Sequence, residues 1–351
     1  MMKQLLLLPF LFFLSLASVN AQESQDSTLV VVGGQEAKMA YNDGLNAIKN
    51  KKFKLAVQKL SEAIAYDANF AKAYLNRARA MQSLRQEESA LMDLDSAIAK
   101  DANLGEAYYM KGKIAQNKKQ IADAFSLYQT AIEKGYKNAN VYYFSGVIKF
   151  EQKEYDMAIE YYTKAIAQNP KHAFAYNDRG SAKRKKEDYD GAIKDYTKAT
   201  KIDTKLALAF DNLSMVKSLK KDYDGAIKAS NKAIALNPKS YIAYNNRGSI
   251  YYANKEYDKA ITDYKKAISL KANYAYAHNN LGNVQYKRKK YKEAVASYTK
   301  AIESKKDYGT AYLNRGISKE MTRDAQGACL DWKKAVTLGV KKANQYAAGC
   351  N

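Results

Sequence analysis

Cysteine, histidine, proline and tryptophan are all scarce in this chain: two, two, three and one among 351 residues. His172 and His278 stand far from each other and from Cys329 and Cys350, so no Cys/His quartet with zinc spacing exists. Glycine is dispersed rather than clustered, which leaves no loop to cradle a phosphate. Carboxylates are plentiful, yet no pair stands apart from a solvated surface as a general acid and base. These absences argue against an enzyme and imply no cofactor or metal. Apolar runs long enough to cross a membrane are missing beyond residue 17. Acidic residues are outnumbered, 36 against 58 Lys and Arg, for a net charge of +22. Such a balance favours anionic neighbours and says nothing about fold.

One apolar run does exist, at the N-terminus. Lys3 precedes Leu5–Ala17, "LLLLPFLFFLSLA", which is short for a bilayer span, and Val19-Asn20-Ala21 has the small-residue pattern of a cleavage site. Residues 1–21 therefore read as a signal peptide, with an uncleaved anchor as the alternative, and 22–36 as a flexible leader. No cysteine near the cleavage point suggests a lipoprotein. The expectation is an exported chain, periplasmic or secreted to the cell surface, whose mature form keeps a charge of +21.

What the chain has in abundance is repetition. "DYDGAIKDYTKA" (188–199), "EYDKAITDYKKA" (256–267) and "KYKEAVASYTKA" (290–301) are spaced by multiples of 34 residues. Nine registers follow without insertion: 37–70, 71–104, 105–138, 139–172, 173–206, 207–240, 241–274, 275–308 and 309–342, with 343–351 left as a short C-terminal cap. Position 8 of each repeat is small, as in Gly44, Ala78, Gly248 and Gly316. Positions 20 and 27 are alanine in all nine repeats, from Ala56 to Ala328 and from Ala63 to Ala335. Aromatic residues recur at positions 4, 17 and 24, among them Tyr244, Tyr257 and Tyr264. Positions 4, 8 and 11 share one face of a first helix, and 20, 24 and 27 one face of a second. Small residues at fixed levels let the two helices approach closely.

Small-8, Ala-20, aromatic-24 and Ala-27 resemble the signature of the tetratricopeptide repeat family over residues 37–342. Pro at position 32, usual in that family, appears only as Pro170 and Pro238. The resemblance implies an all-α, right-handed superhelical solenoid of nine helical hairpins, closed by a C-terminal capping helix, with a concave groove that binds proteins.

Two columns depart from simple packing. Position 7 is arginine in only four repeats, Arg77, Arg179, Arg247 and Arg315, and position 23 is aspartate in the same four, Asp93, Asp195, Asp263 and Asp331. Both positions lie at one level of an antiparallel hairpin, so a guanidinium–carboxylate staple between its helices is predicted. Position 6 is mostly asparagine, including Asn212, Asn246, Asn280 and Asn314, beside Asn177, Asp211, Asn245 and Asn279 at position 5. Asparagine carries both a donor and an acceptor. Similar ladders in tetratricopeptide repeat proteins hold extended peptides, while a solvated helix face or a capping role is the alternative here.

Position 2 carries Phe174, Leu208, Ile242 and Tyr276 in four successive repeats. With the amides beside them these residues form a candidate peptide groove in repeats 5–8; contacts along the superhelix are the other reading. Lysines also crowd the turns within each hairpin, as in "KNKK" (49–52) and "KRKK" (183–186 and 287–290), along an edge that is either solvated or faces anionic lipid or polymer. Nucleic acid is not expected, because no recognised binding motif accompanies the charge. Cys329 and Cys350 flank the last turn symmetrically, which suggests a disulfide fastening the end of the array; two separate packing residues are the alternative. The leading functional expectation is a non-enzymatic adaptor for protein partners in an envelope-associated complex, with a polyanion-binding surface adaptor as the second.

Overall fold

The computed structural model describes residues 34–350. The signal peptide at 1–21 and the leader up to residue 33 lie outside the described residues. Gln35 and Glu36, assigned above to the leader, instead form the first turn of helix α1 (Gln35–Lys49). Glu36 suits that place, because a carboxylate favours the positive end of the helix dipole.

Every regular element among the described residues is a helix, and contacts divide the chain into two compact units after Lys100. The first unit holds two hairpins, α1 with α2 (Phe53–Tyr66) and α3 (Ala71–Ser83) with α4 (Glu87–Lys100). Its core gathers Ala37, Tyr41, Leu60, Ala63 and Phe70, with the Tyr41 and Phe70 ring centres 4.6 Å apart.

The second unit contains seven hairpins and a terminal helix. Its pairs are α5 (Gly105–Asn117) with α6 (Ile121–Glu133), α7 (Ala139–Glu151) with α8 (Tyr155–Gln168), and α9 (Ala173–Lys185) with α10 (Tyr189–Ile202). Then come α11 (Ala207–Leu219) with α12 (Tyr223–Leu236), α13 (Tyr241–Ala253) with α14 (Tyr257–Leu270), and α15 (Ala275–Lys287) with α16 (Tyr291–Ser304). Helix α17 (Gly309–Glu320) pairs with α18 (Ala325–Thr337), and α19 (Ala343–Ala347) closes the row.

The small columns explain the hairpins. All nine alanines at position 20 have no exposed surface, and those at position 27 are buried as well. Glycine at position 8 lets an aromatic ring lie against the first helix. A Cβ added at Gly248 would stand 2.7 Å from the Tyr264 ring, and one at Gly316 2.5 Å from the Trp332 nitrogen. Helix α19 packs Tyr346 against Trp332, ring centres 5.3 Å apart, and the Cys329–Cys350 disulfide ties it to α18.

The turn inside each hairpin uses a residue that the sequence pattern did not flag. Position 15 adopts a left-handed backbone in all nine repeats, with φ between 56° and 65°, and it is never glycine. Eight of these residues are Lys or Arg, and the ninth is Glu187. Backbone bonds of the kind Glu256 N–H to Tyr251 C=O (2.8 Å) close the end of each first helix around this residue.

Within the second unit, first helices of successive repeats touch one another, α9 with α11, α11 with α13 and α13 with α15. Consecutive second helices make no comparable contact. The row therefore bends toward its first helices, which line the inner side, while the second helices face outward.

Candidate functional site

The inner face of repeats 5–8 is built from α9, α11, α13 and α15. Position 2 of each helix begins there. Phe174 and Leu208 are 41 % and 47 % exposed, whereas Ile242 and Tyr276 are half-buried. Tyr276 is covered by an aromatic cluster, its ring centre 5.3 Å from Tyr308 and 5.6 Å from Tyr274. Lys305 stands over the same ring at 5.7 Å. The apolar stripe is thus open at repeats 5 and 6 and largely closed at repeats 7 and 8.

The asparagines of the ladder bond to one another across the repeats. Asn212 donates to Asn177 Oδ1 at 3.0 Å, Asn246 to Asp211 Oδ2 at 2.9 Å, Asn280 to Asn245 Oδ1 at 3.0 Å, and Asn314 to Asn279 Oδ1 at 3.2 Å. In each case position 6 of one repeat reaches back to position 5 of the repeat before it. Asn177, Asn245, Asn246 and Asn279 are buried by this arrangement. The same rail continues with Tyr143 donating to Asp178 Oδ2 at 2.8 Å, and within the first unit with Asn76 donating to Tyr41 at 2.9 Å. Because first helices crowd together on the inner side, a short amide meets its neighbour before it meets solvent. Buried amides so paired satisfy each other and fix the register of adjacent repeats. Three atoms of the rail are left over: Asp211 Oδ1, Asn245 Nδ2 and Asn246 Oδ1 are buried without a partner, and burial pushes the Asp211 carboxyl up to about 6.

The staples are bidentate. Arg247 Nε and Nη2 bind the two oxygens of Asp263 at 2.7 and 2.8 Å, and Arg77–Asp93, Arg179–Asp195 and Arg315–Asp331 repeat that fork at 2.6–2.9 Å. All four aspartates are buried. Two further contacts were not foreseen. The third guanidinium nitrogen reaches position 25 of the preceding repeat: Ser61, Thr163, Asn231 and Thr299, at 2.7–3.1 Å. The guanidinium also lies over the position-4 ring, 5.4–5.6 Å from the centres of Tyr74, Tyr176, Tyr244 and Tyr312. One arginine therefore joins three helices and two repeats. A short polar residue at position 25 ahead of every arginine was the available signal.

Both histidines bond the backbone. His172 Nδ1 accepts the Ala175 N–H at 3.2 Å and caps α9, and burial lowers its pKa. His278 Nε2 bonds the Ala272 carbonyl at 2.8 Å. Among the described residues no group of three His, Cys, Asp or Glu could hold a metal ion, and no helix is long and apolar enough to cross a membrane.

Repeated hairpins with small-residue seams, stitched along their first helices, define a helical-repeat protein. Models of the tetratricopeptide repeat match residues 105–133, 139–172, 175–206, 207–240, 230–262 and 275–308, and a further TPR repeat model matches 248–288. The chain belongs to the tetratricopeptide repeat family. Among solved structures it is similar to a tetratricopeptide repeat protein from Parabacteroides merdae, at 18% identity and a TM-score of 0.53, over 71% of this chain and 98% of that one. The C-terminal part of a TPR repeat-containing protein from Cytophaga hutchinsonii is alike at 21% identity and 0.53, over 68% and 98%. MamA shares 31% identity over 49% of this chain and 94% of its own, with a TM-score of 0.41. No curated protein matches by sequence. Repeats of this family generally mediate protein–protein interaction and scaffolding, and no catalytic family is indicated.

Proposed function

We propose that this chain is an exported, non-catalytic scaffold that seats a protein partner on the inner face of repeats 5–8, within an envelope-associated complex. The observation that carries the reading is the pair Phe174 and Leu208, exposed at the same register of adjacent inner helices, while the amides beside them pair across the repeats, Asn212 with Asn177 and Asn246 with Asp211. Recognition then rests on apolar side chains of the partner entering at repeats 5 and 6, not on asparagines pairing with its backbone. Export is supported by the pattern of residues 1–21 and by a disulfide between Cys329 and Cys350, which persists in oxidising compartments. The periplasm or the outer surface would suit both.

A photo-crosslinking residue placed at 174 or at 208 in the native cell should capture the same protein from both positions. Phe174→Ser combined with Leu208→Ser should abolish that capture without shifting thermal unfolding, because both side chains are exposed. Retained capture by the double variant rejects the site. N-terminal sequencing of the mature protein, expected to begin at Gln22, tests the export reading separately.

The second reading placed an anionic envelope polymer or lipid on the lysine-rich turns. Several of those cations are already held: Lys186 by Asp156, Lys220 by Asp190 and Arg288 by Asp258, each from the preceding repeat. The turn edge is the weaker candidate for that reason.

A further inference from the structure

Unneutralised positive charge lies on the second helices as well as on turn lysines such as Lys51, Lys119 and Lys289. Positions 22, 26 and 29 of each second helix fall on one narrow stripe, roughly 160° around the helix from the packed positions 20, 24 and 27. In repeats 5–7 that outward stripe carries Lys194, Lys198 and Lys201 on α10, Lys228 and Lys232 on α12, and Lys266 on α14. All six are exposed. None makes an ion pair among the described residues, and the carboxylates of these helices are directed away from them. Asp195 and Asp263 point inward to Arg179 and Arg247, and Asp190 and Asp258 are held at the turn edge by Lys220 and Arg288. Asp224 stands in the first turn of α12, and the N-cap Asp222, which pairs with Lys217, also lies within reach of the charge of Lys228.

The flanking repeats mark the boundary. In repeat 4 the same stripe neutralises itself through Lys164 and Glu160 at 2.7 Å, and in repeat 8 through Lys300 and Glu303 at 2.8 Å. The cationic area therefore spans three adjacent helices and about two turns along α10, a bounded two-dimensional patch. No large apolar side chain is exposed on α10, α12 or α14, so insertion into a hydrocarbon layer has no support. The patch lies on the outward-bending side of the row, which meets a flat object over only a few repeats.

We infer that the outer face of α10, α12 and α14 is a second interaction surface, one that rests on the anionic headgroups of a lipid bilayer by charge complementarity alone. It is separate from the inner face, so a partner held by Phe174 and Leu208 could be presented at a membrane surface while both contacts persist.

Co-sedimentation with vesicles of equimolar phosphatidylserine and phosphatidylcholine tests this. The full chain should bind at low salt, fail to bind phosphatidylcholine alone, and be released as ionic strength rises. Each Lys→Gln in the patch should weaken binding about fivefold, and the triple Lys198→Gln, Lys232→Gln, Lys266→Gln about a hundredfold. A control triple at the turns, Lys51→Gln, Lys119→Gln, Lys289→Gln, should bind nearly as the parent does. Absence of vesicle binding by the parent overturns the inference, even where soluble dextran sulfate binds. So does equal loss in the two triples. Unchanged circular dichroism of both triples separates loss of charge from loss of fold, and crosslinking through residues 174 and 208 should be untouched by either.

Discussion

Repeats 7 and 8 make the same joint with opposite chemistry. Repeat 7 uses Arg247, forked onto Asp263 and reaching back to Asn231 in repeat 6. Repeat 8 has Leu281 and Ser297 at the corresponding positions, and Leu281 lies in one apolar cluster with Ala260 and Tyr264 of repeat 7. Repeats 5 and 6 show the same contrast, with Arg179 and Asp195 against Leu213 and Ala229. The hairpin therefore does not require an ion pair at positions 7 and 23: Leu213 and Ala229 fill them within one apolar cluster, and in repeat 8 Leu281 packs on repeat 7 while Ser297 donates to Gln285. Burying a charge without its partner is costly, whereas replacing both members by apolar groups is often close to neutral.

That contrast can be broken directly. Asp263→Ala, which leaves Arg247 facing a buried empty level, should lower stability by about 3 kcal/mol. Adding Arg247→Leu converts repeat 7 to the chemistry of repeat 6 and should bring stability back to within about 1 kcal/mol of the parent. Urea unfolding, with hydrogen exchange on α13 and α14 to localise the effect, reads both. A double variant as unstable as Asp263→Ala would mean that the arginine is needed in its own right.

The next largest effect concerns the end of the row. Repeat 9 has its staple, Arg315–Asp331, and α19, tied to α18 by the Cys329–Cys350 disulfide, packs beyond it. Reducing the disulfide should cost roughly 2–3 kcal/mol by loop-closure entropy. Faster amide exchange should appear in α18 and α19 first and leave α13 unaffected. Uniform acceleration across the second unit would show that the row unfolds as one block.

Much of this was readable in the residues because its partners share a repeat. Arg247 and Asp263 lie in one hairpin, so their columns match within each register and the staple is visible without coordinates. The amide rail is different. Its partners, such as Asn245 and Asn280, sit in adjacent repeats, and a column of asparagines looks the same whether it faces water or a neighbouring helix. The available signal was that polar position 5 is followed by polar position 6 one repeat later, as in Asp211 and Asn246. Inner-side crowding, which decides between the two readings, depends on how repeats bend and not on any single residue type. The aromatic cover over Tyr276 escaped for a related reason, since Tyr274 comes from the preceding repeat and Tyr308 from the far end of its own.

Asp211 offers a smaller and pH-dependent test of that rail. At the equivalent place Asn177 and Asn279 use their amide nitrogen to bond position 6 of their own repeat, at 2.9 and 3.4 Å, Asn245 leaves its amide nitrogen without a partner, and Asp211 presents only an oxygen. Arg184 nearby lowers its pKa and Asn246 does the same, but burial prevails and holds the carboxyl at about 6. An unfolded aspartate titrates near about 3.9, so the folded chain binds the proton more tightly. Stability should then fall as pH rises through that window and remain lower above it. Asp211→Asn restores the donor and removes the titration. It should stabilise by about 1–2 kcal/mol at neutral pH, with the gain vanishing near pH ~4. A gain independent of pH would place the proton elsewhere.

The smallest effect lies at the turns, where stapled and unstapled repeats do not differ. Lys255 in repeat 7 and Lys289 in repeat 8 both hold φ near 60°, at 64° and 61°. A side chain in the left-handed region costs about 1–2 kcal/mol, and glycine avoids that while losing roughly 0.4–1 kcal/mol through a freer unfolded chain. Lys255→Gly should therefore stabilise by about 0.5 kcal/mol, and Lys289→Gly by a similar amount, in urea midpoints measured side by side. The reverse change at Gly135, where φ is 77°, should destabilise by about 1 kcal/mol as alanine. If Lys255→Gly is instead destabilising, the lysine must be contributing at the negative end of α13, where a cation is favoured by the helix dipole. The same excess should then appear at Lys289 beyond α15 and be absent at Glu187, which stands at that place after α9 with the opposite charge.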